Sequence, residues 1–149
     1  MRATATEQEK NAYAAGILDG EGCVGIARAS HTGNTKITVY YRLRIEIVNT
    51  SIDVIAWLYQ NYGGNMNDIK LIPGRNMKPT FRWDVQSDMA YQFLQKVYSY
   101  VIIKKKQVEV AFSFINRQYN EDGETFYLQM KELNKQGVKP DSKLEEIWH

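Results

Sequence analysis

Cysteine is nearly absent from this sequence. Cys23 stands alone among 149 residues, which rules out an internal disulfide framework and a cysteine zinc cage. Histidine is just as scarce, and His31 and His149 are too far apart in the chain for a histidine metal site. Long apolar runs are missing as well: none approaches the roughly 18 residues that cross a bilayer, and no secretory signal is visible. These absences favour an intracellular protein, in the cytoplasm or in an organelle matrix if the source is eukaryotic, with no membrane partner. An excess of one charge is also lacking. Nineteen Lys and Arg face 17 Asp and Glu, for a net charge of +2. Total charge therefore announces no nucleic-acid partner, and the placement of charge has to decide.

What is present suits an ordinary globular chain, with 44% hydrophobic and 24% charged residues. That length can bury one sheet-plus-helix core, so a single domain over 1–149 is expected, with 138–149 as a loosely held tail. Thr6 followed by Glu9 forms a capping-box pattern, and a helix should run from Glu7 to about Gly20. A strand over Cys23–Ser30 and a turn over His31–Asn34 follow. From Lys36 to Val48, Ile37, Val39, Tyr41, Leu43, Ile45 and Ile47 alternate with Thr38, Tyr40, Arg42, Arg44 and Glu46. That period of two predicts one apolar and one polar face.

Asp53 or Ser51 can cap a second helix, which closes at Gly63-Gly64. Two short strands, Met66–Ile72 and Thr80–Ser87, flank a Pro73–Asn76 turn. Asp88 is then expected to cap a helix carrying Tyr91, Leu94, Val97 and Tyr98 on one face. Lys104-Lys105-Lys106 lead into another helix through Val108, Ala111, Phe112 and Ile115, and Glu124–Gln136 form the last. The order αββαββα plus two C-terminal helices predicts an α+β protein with one four-stranded antiparallel sheet.

The segment from Ala14 to Gly22, AAGILDGEG, carries the chemistry. Small residues at Ala15, Gly16 and Gly20 let a second helix approach closely. Acids at Asp19 and Glu21 oppose the helix macrodipole, because carboxylates are disfavoured at a helix C-terminus. Taken alone, such a string is an ordinary glycine C-cap with exposed acids. Two such helix ends side by side, however, would gather carboxylates that favour a divalent cation. The segment resembles the nine-residue motif of the LAGLIDADG homing endonucleases. Ala15, Gly16, Asp19 and Gly22 match outright, and the other positions hold conservative replacements. The element order, the Gly-Gly after the second helix and the lysine-rich entry to the later helix extend the resemblance over about Tyr13 to Gln118.

The resemblance implies a double-stranded DNA endonuclease that uses Mg2+, or another divalent cation such as Mn2+. One motif per chain implies a homodimer, with Ala15, Gly16 and Asp19 at its interface. Glu21 would be the metal ligand, helped by the Gly20 carbonyl; Asn49 and Lys104 would flank the attacking water, with Lys105 or Lys106 as substitutes for Lys104. Glu21 stands where the family commonly has Asp, a one-methylene departure. On the sheet, Tyr40, Arg42, Arg44, Glu46, Arg82, Asp84 and Gln86 form the base-reading face, joined by Asp68 and Lys70. Arg28, Lys36, Arg75 and Lys78 near the turns would touch phosphates. A polar face roughly 30 Å long covers about nine base pairs, so the dimer's site is close to twenty base pairs and near-palindromic. The alternative is the same fold kept as a transcription regulator or intron maturase, binding DNA or intron RNA without cutting.

Overall fold

In the computed structural model, the residues described are 4–69, 73–74, 76, 78–118 and 122–136. Helix α1 (Glu7–Glu21) leads into strands β1 (Gly22–Thr32) and β2 (Ile37–Asn49), then α2 (Ile52–Tyr62), β3 (Asn65–Ile69) and β4 (Thr80–Gln86). Helix α3 (Ser87–Val97) continues into a 3-10 turn at Tyr98–Tyr100, followed by α4 (Lys105–Ile115) and α5 (Gly123–Gln136). The sheet has the order β1-β2-β4-β3 with every pair antiparallel. This is the α+β architecture that the pattern predicts.

Local chemistry explains most boundaries. Thr6 Oγ1 accepts from the Glu9 amide and Glu9 Oε1 accepts from the Thr6 amide, both at 3.1 Å, which closes the capping box of α1. Of the two candidate caps for α2, Ser51 accepts from the Val54 amide. Gly63 and Gly64 end that helix with positive φ, and a Cβ at Gly64 would meet the Asp84 carbonyl at 2.5 Å. Asp88 does not cap α3. The helix begins one residue earlier, at Ser87 in a left-handed conformation, and no side chain caps it. Strand β4 runs directly into the helix, leaving no loop residue to serve as a cap.

One face of the sheet and the inner faces of the helices form the core. Val24, Leu43, Ile45, Ile47 and Trp83 are fully buried there with Leu18, Ile55, Leu58, Leu94 and Val108, each contributing about 1.5–3 kcal/mol of burial. Trp83 donates its indole N–H to the Gly63 carbonyl at 2.7 Å, so its polar edge is satisfied. The apolar face of β2 is not buried along its whole length: Ile37 is 68% and Val39 48% exposed. Strand β4 pairs with β2 only over Arg44–Asn49, so the outer half of the β1–β2 hairpin projects beyond the core as a two-stranded ribbon. Helix α5 braces its base. Glu124 accepts from the Tyr41 hydroxyl and pairs with Arg28 at 2.6 Å, while the Arg28 guanidinium lies 4.5 Å over the Tyr127 ring. No helix among the described residues is long and apolar enough to cross a membrane.

Candidate functional site

The C-terminal end of α1 collects the motif's polar groups. Asp19 turns toward the entrance of α4: its carboxylate accepts from the Ile102 amide at 2.8 Å and the Lys104 amide at 3.1 Å. Lys104 Nζ donates back to the Asp19 carbonyl at 2.8 Å. Glu21 points elsewhere and is exposed, accepting from the Asn49 side-chain amide at the end of β2. Asn49 is itself fixed, because its Oδ1 accepts from the Ser51 amide at 2.7 Å. Of the three lysines, Lys104 is the one tied to the motif. Lys105 donates to the Tyr98 carbonyl and lies over the Tyr98 ring, and Lys106 lines a groove with Glu109 and Gln129.

Helix α1 has two contrasting faces. Ala14, Ala15 and Leu18 are fully buried within the chain, so Ala15 cannot touch a second subunit, contrary to the sequence expectation. Asp19 is likewise engaged internally. The open face carries Tyr13, Gly16, Ile17 and Gly20, which border a shallow groove with Glu21, Asn49 and Val54. Tyr13 is 55% exposed and packs edge-on against Trp57 at 5.0 Å. A Cβ at Gly16 or Gly20 would meet nothing within 4 Å, whereas one at Gly22 would strike Leu18. Sequence reasoning missed Tyr13 and Ile17, because only the burial of Ala14, Ala15 and Leu18 shows which face of α1 is open.

On the sheet, the face opposite the core carries Arg42, Arg44 and Glu46 from β2. Arg82, Asp84 and Gln86 lie beside them on β4, in register as Arg44↔Gln86, Glu46↔Asp84 and Val48↔Arg82. Glu46 pairs with Arg44 at 3.2 Å and Arg82 at 3.5 Å. Asp84 is buried and accepts from the Asn65 amide at 3.2 Å. Tyr40 continues the same face on the projecting ribbon, and Lys36 and Lys78 are exposed in the flanking loops.

Two predicted contacts lie on the other face. Asp68 pairs with Phe81, so it shares the core-side direction, and Asn65 and Asn67 take the polar positions of β3. Pairing of Met66 with core Trp83 fixes the even-numbered residues of β3 on the core side, a register that its short and exposed sequence does not reveal. Arg28 pairs with Tyr41 and is held by α5. Lys70 and Arg75 lie outside the described residues, as does the tail 138–149.

Cys23 is exposed, yet partial desolvation by the surrounding chain and, secondarily, the Glu46 carboxylate push its thiol above its ordinary value.

No protein-family model matches the chain, and no curated protein matches it in sequence. Solved structures do match. The homing endonuclease I-CvuI in complex with its target has a TM-score of 0.64 at 17% identity, over 91% of this chain and 86% of that one. The archaeal intron-encoded homing endonuclease I-Vdi141I complexed with DNA has a TM-score of 0.63 at 19% identity, over 91% and 89%. The LAGLIDADG homing endonuclease I-GzeII in complex with its DNA target has a TM-score of 0.54 at 17% identity, over 91% of this chain and 47% of that one. The fold is that of the LAGLIDADG homing endonucleases. This chain corresponds to most of the first two proteins and to about half of the third.

Proposed function

We propose that this chain is a single-domain, site-specific endonuclease that works as a homodimer on double-stranded DNA and cuts both strands with a divalent cation. The observation that carries the reading is the end of α1. There an exposed carboxylate, Glu21, is held by Asn49 while Lys104 is anchored to Asp19, two residues earlier in the helix, beside a sheet whose free face bears arginines paired with Glu46.

The dimer is supported by the open face of α1. A mid-helix glycine costs about 0.5–1 kcal/mol relative to alanine. Nothing among the described residues approaches Gly16 or Gly20, which supports a second helix at close range as the reason for accepting that cost. A two-fold axis along this face brings the two Glu21 carboxylates together.

The donors fit a hard cation. Glu21 and the Gly20 carbonyl supply oxygens of the type Mg2+ or Mn2+ prefers. A cation taking about six ligands would complete its shell from the second subunit, DNA phosphate and water. When bound, the cation would activate water and stabilise charge on the phosphate. The chain's own residues do the remaining work. Asn49 orients Glu21 and can orient a water but cannot deprotonate one. Lys104, fixed by Asp19, stabilises negative charge near the cut. Tyr40, Arg42, Arg44, Arg82 and Gln86 face the major groove, Asp84 being buried and held by Asn65, and Lys36 and Lys78 meet phosphates.

The test is incubation of the chain with a randomised palindromic duplex library in magnesium, beside Glu21→Gln. Double-strand breaks at one site of about twenty base pairs, lost on chelation, are expected for the wild type. The variant should bind that site with cleavage reduced more than about a hundredfold, since even outer partners of a metal ligand are worth 10- to 100-fold. A wild type that binds one site yet never cuts in magnesium or manganese is a binding protein of this fold, a regulator or maturase.

A further inference from the structure

We infer that Glu46 is a positioning residue and not a base reader: it braces Arg44 and Arg82, and the two arginines read a pair of guanines in the inner part of each half-site. This rests on the DNA-binding reading and deepens it by naming the bases.

The geometry starts with the Glu46 carboxylate, whose two oxygens face different arginines. Oε2 pairs with Arg44 Nη2 at 3.2 Å and Oε1 with Arg82 Nη1 at 3.5 Å. A lone glutamate on a groove-facing strand would be expected to accept from cytosine N4. A carboxylate turned sideways between two guanidiniums is committed within the sheet. Each arginine gives Glu46 only one terminal nitrogen, at a length greater than the roughly 2.7–2.9 Å of a tight charge-assisted bond. The rest of each planar fork is uncommitted. Both Nε atoms are shielded from water and have no hydrogen-bond partner. The buried Nε atoms cannot reach a base, so the terminal nitrogens of these partly exposed guanidiniums are the donors left for a ligand, and guanine O6 with N7 is the acceptor pair that matches them in the major groove.

Charge gives the brace a second role. Two free arginines on an open strand would bend toward the nearest phosphates and hold any duplex. One shared carboxylate reduces that pull and tethers both guanidiniums over the strand pair, where bases and not phosphates are met. The neighbouring acid, Asp84, is buried and occupied by Asn65, and so does not compete for the arginines.

The register locates the guanines. Arg82 lies opposite Val48, next to the Asn49 that holds Glu21. Arg44 lies farther out, roughly 17 Å along β2 from Asn49 at about 3.4 Å per residue. The pair therefore falls within about five base pairs of the cut.

The experiment recovers bound sequences from a randomised palindromic duplex library in calcium, using the full chain, and measures affinity for a random duplex in parallel. The wild type should select two guanines per half-site. Arg44→Lys and Arg82→Lys keep the charge but not the fork, and each should lose one guanine preference by about five- to a hundredfold. Glu46→Gln should lose both preferences together and bind random duplex more tightly. Glu46→Asp, with its carboxylate drawn back by one methylene, should lose both without that gain, which separates geometry from charge. The brace is overturned if Glu46→Gln alters only a cytosine position, or if it leaves both guanine preferences intact in a variant that melts like the wild type. If the wild type selects no sequence and its duplex affinity is indifferent to salt, the DNA-binding reading itself is wrong, and the brace falls with it.

Discussion

Asp19 and Glu21 are two acids separated by one glycine at the end of one helix, yet they occupy different chemical worlds. Both stand where the macrodipole disfavours a carboxylate. For Asp19 the chain supplies the remedy: the Ile102 and Lys104 amides converge on its carboxylate and so cap the entry to α4 from another helix. Glu21 receives only the Asn49 amide and remains exposed. Two residues of helix turn a side chain by about 200°, so one acid is directed into the fold and the other out of it. The glycines divide in the same way. Gly22 is required by Leu18 within the chain, whereas Gly16 and Gly20 answer to nothing among the described residues. A residue whose local cost is offset inside the fold is architecture. One whose cost is left standing marks where a partner or ligand is expected.

The strongest way to break this comparison is to remove each acid and ask what fails. Asp19→Ala strips a charged acceptor from two amides and is expected to cost about 2–3 kcal/mol. For a domain of this size that lowers the melting temperature by roughly 5–10 °C. Glu21→Gln should melt within about 0.5 kcal/mol of the wild type, as an exposed substitution does. Thermal denaturation of both variants decides the matter. If Asp19→Ala melts normally and Glu21→Gln does not, the two roles are reversed.

The same contrast explains what was legible in the sequence. Period-two alternation placed Arg42, Arg44 and Glu46 on one face because the buried row Leu43, Ile45 and Ile47 demands it. The capping box at Thr6 and Glu9 and the Gly63-Gly64 stop are local devices, so they were visible locally. What depends on distant partners was not. Ala15 resembles Gly16 in size and stands beside it, and only the packing of α1 shows that one is buried and the other open. Asp68 was assigned to the wrong face because β3 is short and mostly exposed, and no buried row fixes its parity. Ile37 and Val39 continue the apolar pattern of β2 past the point where β4 stops pairing. The pattern alone carries no sign of that end. Lys104 was singled out from its neighbours by resemblance, and the physical reason, its anchorage to Asp19, lies 85 residues away in sequence.

A smaller effect sharpens the glycine half of the comparison. Gly16→Ala adds a methyl group that meets nothing among the described residues and removes the entropic cost of a mid-helix glycine. The isolated subunit should therefore gain about 0.5–1 kcal/mol. Assembly should move the other way, with the concentration at which dimers dissociate rising as the helices are held apart. Denaturation at low protein concentration together with sedimentation over a dilution series reads both. A variant that is more stable and equally dimeric would place the interface elsewhere.

The smallest effect concerns the ribbon's anchorage, another feature whose stability is settled inside the fold. The hydrogen bond to Glu124, then burial and the Glu124 charge, raise the Tyr41 phenol to about 12, while burial raises Tyr62 to about 12. An unfolded tyrosine titrates near 10. The folded state thus holds these protons more tightly, so their stabilising contribution is complete below about pH 10 and is lost as pH rises toward 12. Tyr41→Phe removes one of the two titrations. Its urea midpoint should start slightly below that of the wild type at pH 8, because the bond to Glu124 is gone, and the gap should narrow above pH 10 and close toward pH 12. Solvent at the partly exposed Tyr41 keeps the difference small. Midpoints that fall in parallel would mean that Glu124 holds α5 to the ribbon through Arg28 alone.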